Sequence, residues 1–151
     1  MYDLENKVVL VTGASSGIGW CLALELAACD AQLILLARRQ QRLEDLKHEI
    51  VVKHGGDPVV VVADVADANS VREGEKKIAE KFPDGVDVLI NNAGRGLHSA
   101  FAEADSQQLS AIVETNLTGV VRCTQAVLPK MIARGDGCLV FISSVLGELP
   151  A

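Results

Sequence analysis

Aromatic side chains are nearly absent from the chain: three Phe, one Trp and one Tyr, 3% of 151 residues. Stacking platforms for single-stranded bases and aromatic belts at a bilayer both need more rings than that. An excess of positive charge is lacking as well. Fourteen Lys and Arg stand against twenty Asp and Glu, and the net charge of -6 repels a phosphate backbone and an anionic membrane alike. Neither nucleic acid nor membrane is expected as a partner. The four cysteines, Cys21, Cys29, Cys123 and Cys138, form no CxxC pair and no cluster with histidine, so no metal site is expected. They read as reduced, buried small hydrophobes. Residues 1–7 lack the basic, apolar and small-residue regions of a secretory leader, and Glu25, Asp30 and Gln32 break the longest apolar stretches well short of a membrane span. A cytoplasmic compartment is the expectation.

What is present is a globular composition, 49% hydrophobic and 23% charged, over a length that suits one domain. Short β-branched runs, Val8 to Val11, Leu33 to Leu36, Val59 to Val62, Val86 to Ile90 and Leu139 to Ile142, alternate with helical patterns. Being apolar throughout rather than alternating, they predict parallel strands buried on both faces. One helix is expected over Arg42 to Lys53, ending at Gly55-Gly56, and another between Asp67 and Pro83. Strand starts at 8, 33, 59 and 86 are spaced as strand, helix and two short loops would be. The last interval holds a long helical stretch from about Ser106 to Arg134, interrupted near Asn116 and Pro129. These features predict an α/β, Rossmann-like, doubly wound parallel sheet in the order 3-2-1-4-5. Ligand is expected at the carboxyl ends of strands one and four, where the order reverses.

The motifs cluster at that edge. The first strand runs into Thr12-Gly13-Ala14-Ser15-Ser16-Gly17-Ile18-Gly19, and a helix with Ile18, Cys21, Leu22 and Leu26 on its apolar face opens from it. Glycine removes the Cβ atoms that keep backbone amides away from a pyrophosphate, and a helix N-terminus offers unpaired N–H groups. A tight turn needing glycine for steric reasons alone is the alternative. After the second strand the chain reads Ala37-Arg38-Arg39, with no acid to accept from a ribose 2′-hydroxyl; a guanidinium there suits a 2′-phosphate and so NADP over NAD. The alternative is a solvated start to the second helix. Asp64-Val65 closes the third strand and Asn91-Asn92-Ala93-Gly94 the fourth, each of which could singly be no more than a cap or turn.

Together TGASSGIG, the basic pair, DV, NNAG, ETNLTG and FISSVLG resemble the short-chain dehydrogenase/reductase family, in order and in spacing along the whole chain. The resemblance implies an NADP(H)-dependent oxidoreductase acting on a small-molecule carbonyl or alcohol, with a homo-oligomer plausible. It implies pyrophosphate binding by Gly13, Gly17 and Gly19 with Ser15, Ser16 and Ile18 of the same turn, and NADP preference from Arg38 and Arg39. It implies adenine contact by Asp64 beside Val65, and cofactor support from Asn91, Ala93 and Gly94. Asn116 would kink its helix and hold a water in the proton path, and Ser144 would orient the substrate carbonyl; Ser143 is the weaker candidate. The family's YxxxK pair follows its serine by about thirteen residues, which lies beyond Ala151. The sole tyrosine, Tyr2, precedes the first strand and cannot stand in for it. Residues 1–151 therefore read as a dinucleotide-binding domain incomplete at its C-terminus, its last strands, catalytic Tyr and Lys missing, and inactive by itself. A non-catalytic binding module or pseudoenzyme is the competing possibility, and an interaction fragment with strand five as an exposed apolar edge is a third. His98, in the loop after NNAG, could face substrate but is more simply solvated. The run Arg72 to Lys81 reads as a solvated helix face.

Overall fold

The computed structural model describes residues 3–97 and 101–144. Its five strands are β1 (Val8–Thr12), β2 (Gln32–Ala37), β3 (Val59–Val62), β4 (Val88–Asn91) and β5 (Cys138–Phe141). All pair in parallel, in the predicted order β3-β2-β1-β4-β5. Five α-helices accompany them: α1 (Gly17–Ala27), α2 (Gln40–His54), α3 (Ala68–Lys81), α4 (Ser106–Val113) and α5 (Gly119–Arg134).

The uniform apolarity of the strands is explained by two cores, one on each face. Val9, Val11, Leu33 and Leu35 pack with Ala23 and Leu26 of α1 and Leu43, Leu46 and Ile50 of α2. Leu10, Ile34, Leu36 and Leu89 point the other way, toward Val71 and Ile78 of α3 and Cys123, Val127 and Met131 of α5. Each buried aliphatic side chain contributes about 1.5–3 kcal/mol, so every strand residue from 9 to 11 serves one core or the other. Asp67 starts α3 by accepting from the backbone N–H groups of Asn69 (2.7 Å) and Ser70 (3.0 Å), and these two bonds hold its carboxyl below the usual range. Charges from Arg72 to Lys81 lie on the solvated side of α3, as expected.

Several expectations differ from the structure. The buried face of α1 is Gly19, Ala23, Leu26 and Ala27, whereas Ile18 is 61% exposed and Cys21 is exposed. Leu26 is buried as expected and Leu22 packs half-buried against the core, while small residues take the remaining positions of the face that lies on the sheet. Cys29 is exposed too and Cys138 only half-buried, so of the four thiols Cys123 alone fits the expected burial. Pro129 does not interrupt its helix: α5 runs through it, and both Pro129 and Gln125, whose carbonyl loses its i+4 donor, are exposed residues. The interruption near Asn116 is present as a π-turn, Glu114–Thr118, between α4 and α5. No helix among the described residues is long and apolar enough to cross a membrane.

Candidate functional site

Thr12, 1% exposed at the end of β1, fastens that strand to the end of β4. Its hydroxyl donates to the Ile90 carbonyl (3.2 Å) and accepts from the N–H groups of Asn92 and Ala93 (both 3.0 Å), while Asn92 Nδ2 donates to the Thr12 carbonyl (2.9 Å). This clamp brings the glycine turn and the NNAG segment together at the point where the sheet order reverses. The three glycines then divide into two kinds. A Cβ on Gly13, whose φ is +69°, would lie 2.8 Å from the Ala93 Cα, and one on Gly19 would lie 2.5 Å from Asn92 Nδ2 and 2.6 Å from the Gly13 carbonyl oxygen. Those two permit protein to approach protein. Gly17, at φ +56°, would aim a Cβ into open space. Ser16 precedes α1 in extended conformation and makes no side-chain bond to the helix, and the first turn carries no acid, so the start of the helix is left open to an anion.

An open cleft of about 280 Å³ extends from this turn along the carboxyl ends of the strands. Gly13, Ser15, Ser16 and Ile18 line it from the turn, Arg38 and Arg39 from the end of β2, Asp64 and Val65 from the end of β3, and Ala93 and Gly94 from the end of β4. Arg39 reaches back over the turn: its Nη2 donates to Ser16 Oγ (2.7 Å) and Ser15 Oγ (3.0 Å), and its Nε to Ser15 Oγ (3.3 Å). Arg38 lies 3.7 Å from Asp64 Oδ2, a solvated pair of little intrinsic strength. Asp64 is held by its own loop and by α3, with Oδ1 accepting from the Ala66 N–H (2.9 Å) and its N–H donating to Ser70 Oγ (2.9 Å). A dinucleotide needs a side-chain-free cradle for its pyrophosphate and a polar wall at each end. Open space at Gly17 beside the start of α1 has the form of the first, and Arg38, Arg39 and Asp64 have the chemistry of one of the walls.

Other candidates lie off this lining. Asn91 is 3% exposed and turns its amide toward α5, where Nδ2 donates to Thr124 Oγ1 (3.3 Å); it is a sheet residue behind the cleft, not a wall of it. Asn116 sits in the middle of the π-turn and grips the backbone of Arg95 at both ends, Oδ1 accepting from its N–H and Nδ2 donating to its carbonyl, each at 2.9 Å. Its neighbour Thr115 lines the cleft. Ser144 is exposed three positions past β5, on the same carboxyl edge, with Ser143 beside it. His98, Tyr2 and the Val145-Leu146-Gly147 step lie outside the described residues. Sequence reasoning missed both partners of the clamp, Thr12 and Asn92. A polar residue ending an otherwise apolar strand was the available signal for Thr12. Cys123 is no nucleophile: burial pushes its thiol up to about 11.

The short chain dehydrogenase family profile matches residues 7–151. A fatty acyl-CoA reductase of Acinetobacter baylyi is 37% identical over 145 residues, covering 95% of this chain and 48% of its own length. The structure of L-sorbose reductase from Gluconobacter frateurii, complexed with NADPH and L-sorbose, is 31% identical with a TM-score of 0.92, and the match covers 99% of this chain and 57% of that one. An alcohol dehydrogenase from the archaeon Thermococcus sibiricus, complexed with 5-hydroxy-NADP, is 38% identical with a TM-score of 0.88 over 96% of this chain and 61% of its own. The chain spans about half the length of the first curated relatives it matches.

Proposed function

The chain belongs to the short-chain dehydrogenase family, and from that premise we propose that its cleft binds NADP(H) and that the protein interconverts a small-molecule carbonyl and the corresponding alcohol. When bound, the cofactor supplies or accepts the hydride. The observation that carries this proposal is the cleft itself: open space at Gly17 above an uncapped helix start, with two arginines and no acid at the end of β2. In this account the first amides of α1 bind the pyrophosphate, with Ser15, Ser16 and Ile18 beside it. Arg38 and Arg39 bind the 2′-phosphate, while Asp64 and Val65 border the adenine. Ala93 and Gly94 allow close approach at the other end. Asn116 fixes the backbone of Arg95 there, and Ser144 donates to the substrate carbonyl oxygen. The bound complexes of L-sorbose reductase with NADPH and of the Thermococcus enzyme with 5-hydroxy-NADP support a phosphorylated cofactor here.

NADPH oxidation across a panel of ketones and aldehydes, in the full-length protein, tests the proposal. Ser144→Ala is expected to lower turnover by about a hundredfold or more, as loss of a donor to a developing oxyanion does, with NADPH affinity unchanged. A protein that binds no NADPH refutes it. For residues 1–151 taken by themselves the proposal is binding without turnover, because Tyr2 is their only tyrosine and it lies ahead of β1.

A further inference from the structure

Arg122, in the first turn of α5, joins two segments of the site that nothing else described above connects. Its side chain is only 24% exposed, and its Nη1 donates to the Ala66 carbonyl at 2.8 Å, lies 3.5 Å from the Val65 carbonyl and 3.0 Å from Glu114 Oε2. Ala66 belongs to the turn that fixes Asp64, since its N–H donates to Asp64 Oδ1. Val65 is pressed from the same direction: a Cβ on Gly119 would lie 2.8 Å from Val65 Cγ2. Glu114 opens the π-turn, whose next residue lines the cleft and whose third, Asn116, grips Arg95. One guanidinium nitrogen, Nη1, thus meets both the wall at the end of β3 and the first residue of the π-turn. Bonds from a charged donor, partly withdrawn from water, are among the stronger ones available to fix such loops.

We propose that Arg122 is a positioning residue that sets Asp64 and Val65 for the adenine and, through Glu114, couples that end of the cleft to the Asn116–Arg95 contact. The proposal rests on the cofactor assignment of the cleft. It is tested in the full-length protein by titration with 2′,5′-ADP and with reduced nicotinamide mononucleotide, while the Arg95 backbone amide is followed by NMR. In the unmodified protein 2′,5′-ADP should bind and shift the Arg95 amide. Arg122→Gln should weaken 2′,5′-ADP about tenfold, the size of one charge-assisted bond partly screened by water, and abolish the Arg95 shift, with affinity for the mononucleotide unchanged. Arg122→Lys should restore most of both. Glu114→Gln, a shape-preserving change at a half-exposed side chain, should abolish the Arg95 shift alone, and it decides the matter if Arg122→Gln does not fold. Unchanged 2′,5′-ADP affinity in folded Arg122→Gln, or an Arg95 shift that survives in Glu114→Gln, overturns the proposal. Failure of the unmodified protein to bind 2′,5′-ADP refutes the cofactor assignment instead.

Discussion

Substituting the three motif glycines one at a time by alanine should separate two roles that the sequence motif merges. In Gly19→Ala the new Cβ would sit 2.5 Å from Asn92 Nδ2 and 2.6 Å from the Gly13 carbonyl oxygen, and neither is the loose end of a flexible chain. Overpacking of this kind costs about 1–3 kcal/mol. Displacing Asn92 also loses its bond to the Thr12 carbonyl, about 1 kcal/mol more. For a domain of this size the sum of about 2–4 kcal/mol corresponds to roughly 4–16 °C in Tm. Gly17→Ala meets no protein atom within 4 Å, so its cost is the strain of placing an L-residue at φ +56°, about 1–2 kcal/mol. Its methyl group instead occupies the space assigned to the pyrophosphate. Thermal melting should therefore rank Gly19→Ala below Gly17→Ala. NADPH titration of folded protein should show binding lost in Gly17→Ala even where its melting temperature is close to that of the unmodified protein. A Gly17→Ala variant that binds NADPH with unchanged affinity, or a Gly19→Ala variant at least as stable as Gly17→Ala, would refute this division of roles.

Thiol labelling at pH 8 should modify Cys21 and Cys29 first and Cys123 last, since the Cys123 thiol is buried and raised to about 11; rapid labelling of Cys123 in folded protein would contradict the packing of α5. Asp57 is lowered from 3.8 to about 2 by hydrogen bonds from Lys47 and then Lys81, so its contribution to stability should be complete above pH 4 and fade as pH falls toward 2. Asp57→Asn should flatten the acid limb of the stability curve in that window, as read by chemical denaturation; an unaltered limb would show that these exposed pairs contribute nothing. Purified residues 1–151 should oxidise NADPH at no useful rate with any ketone or aldehyde, because a positioned general acid contributes about 10²–10⁴ in rate; turnover comparable to ordinary reductases would show that catalysis does not use a tyrosine.

The sheet was legible because its central strands are buried on both faces, which makes Val8 to Val11 or Leu33 to Leu36 continuous apolar runs separated by helix-length intervals, whereas the edge strands β3 and β5 are apolar yet only partly buried. The carboxyl-edge location of the cleft followed from topology alone. What local patterns could not reveal was contact between distant segments. The Thr12–Asn92 clamp joins residues 80 positions apart, and the same partner that forbids a Cβ on Gly19 is Asn92, so a motif read locally as phosphate-binding is partly a packing device. The apolar face of α1 was judged only in part for a related reason: Leu26 is buried as expected, but the face turned to the sheet runs through Gly19, Ala23 and Ala27 and leaves Ile18 and Cys21 exposed. Arg38 and Arg39 were indistinguishable in the sequence. In the fold Arg39 reaches the glycine turn through Ser15 and Ser16, and Arg38 faces Asp64.

The central claim, that this cleft is built for a 2′-phosphorylated dinucleotide, is tested most directly by parallel titration of the full-length protein with NADPH and NADH, followed by cofactor fluorescence. Arg39 is already held over the turn by Ser15 and Ser16, so little ordering remains on binding, and one or two charge-assisted bonds partly screened by water should favour NADPH by roughly tenfold to a hundredfold. Replacing Arg38 and Arg39 together by glutamine should erase that preference by weakening NADPH and leaving NADH nearly unchanged. Equal affinity of the unmodified protein for the two cofactors, or tighter binding of NADH, would contradict it.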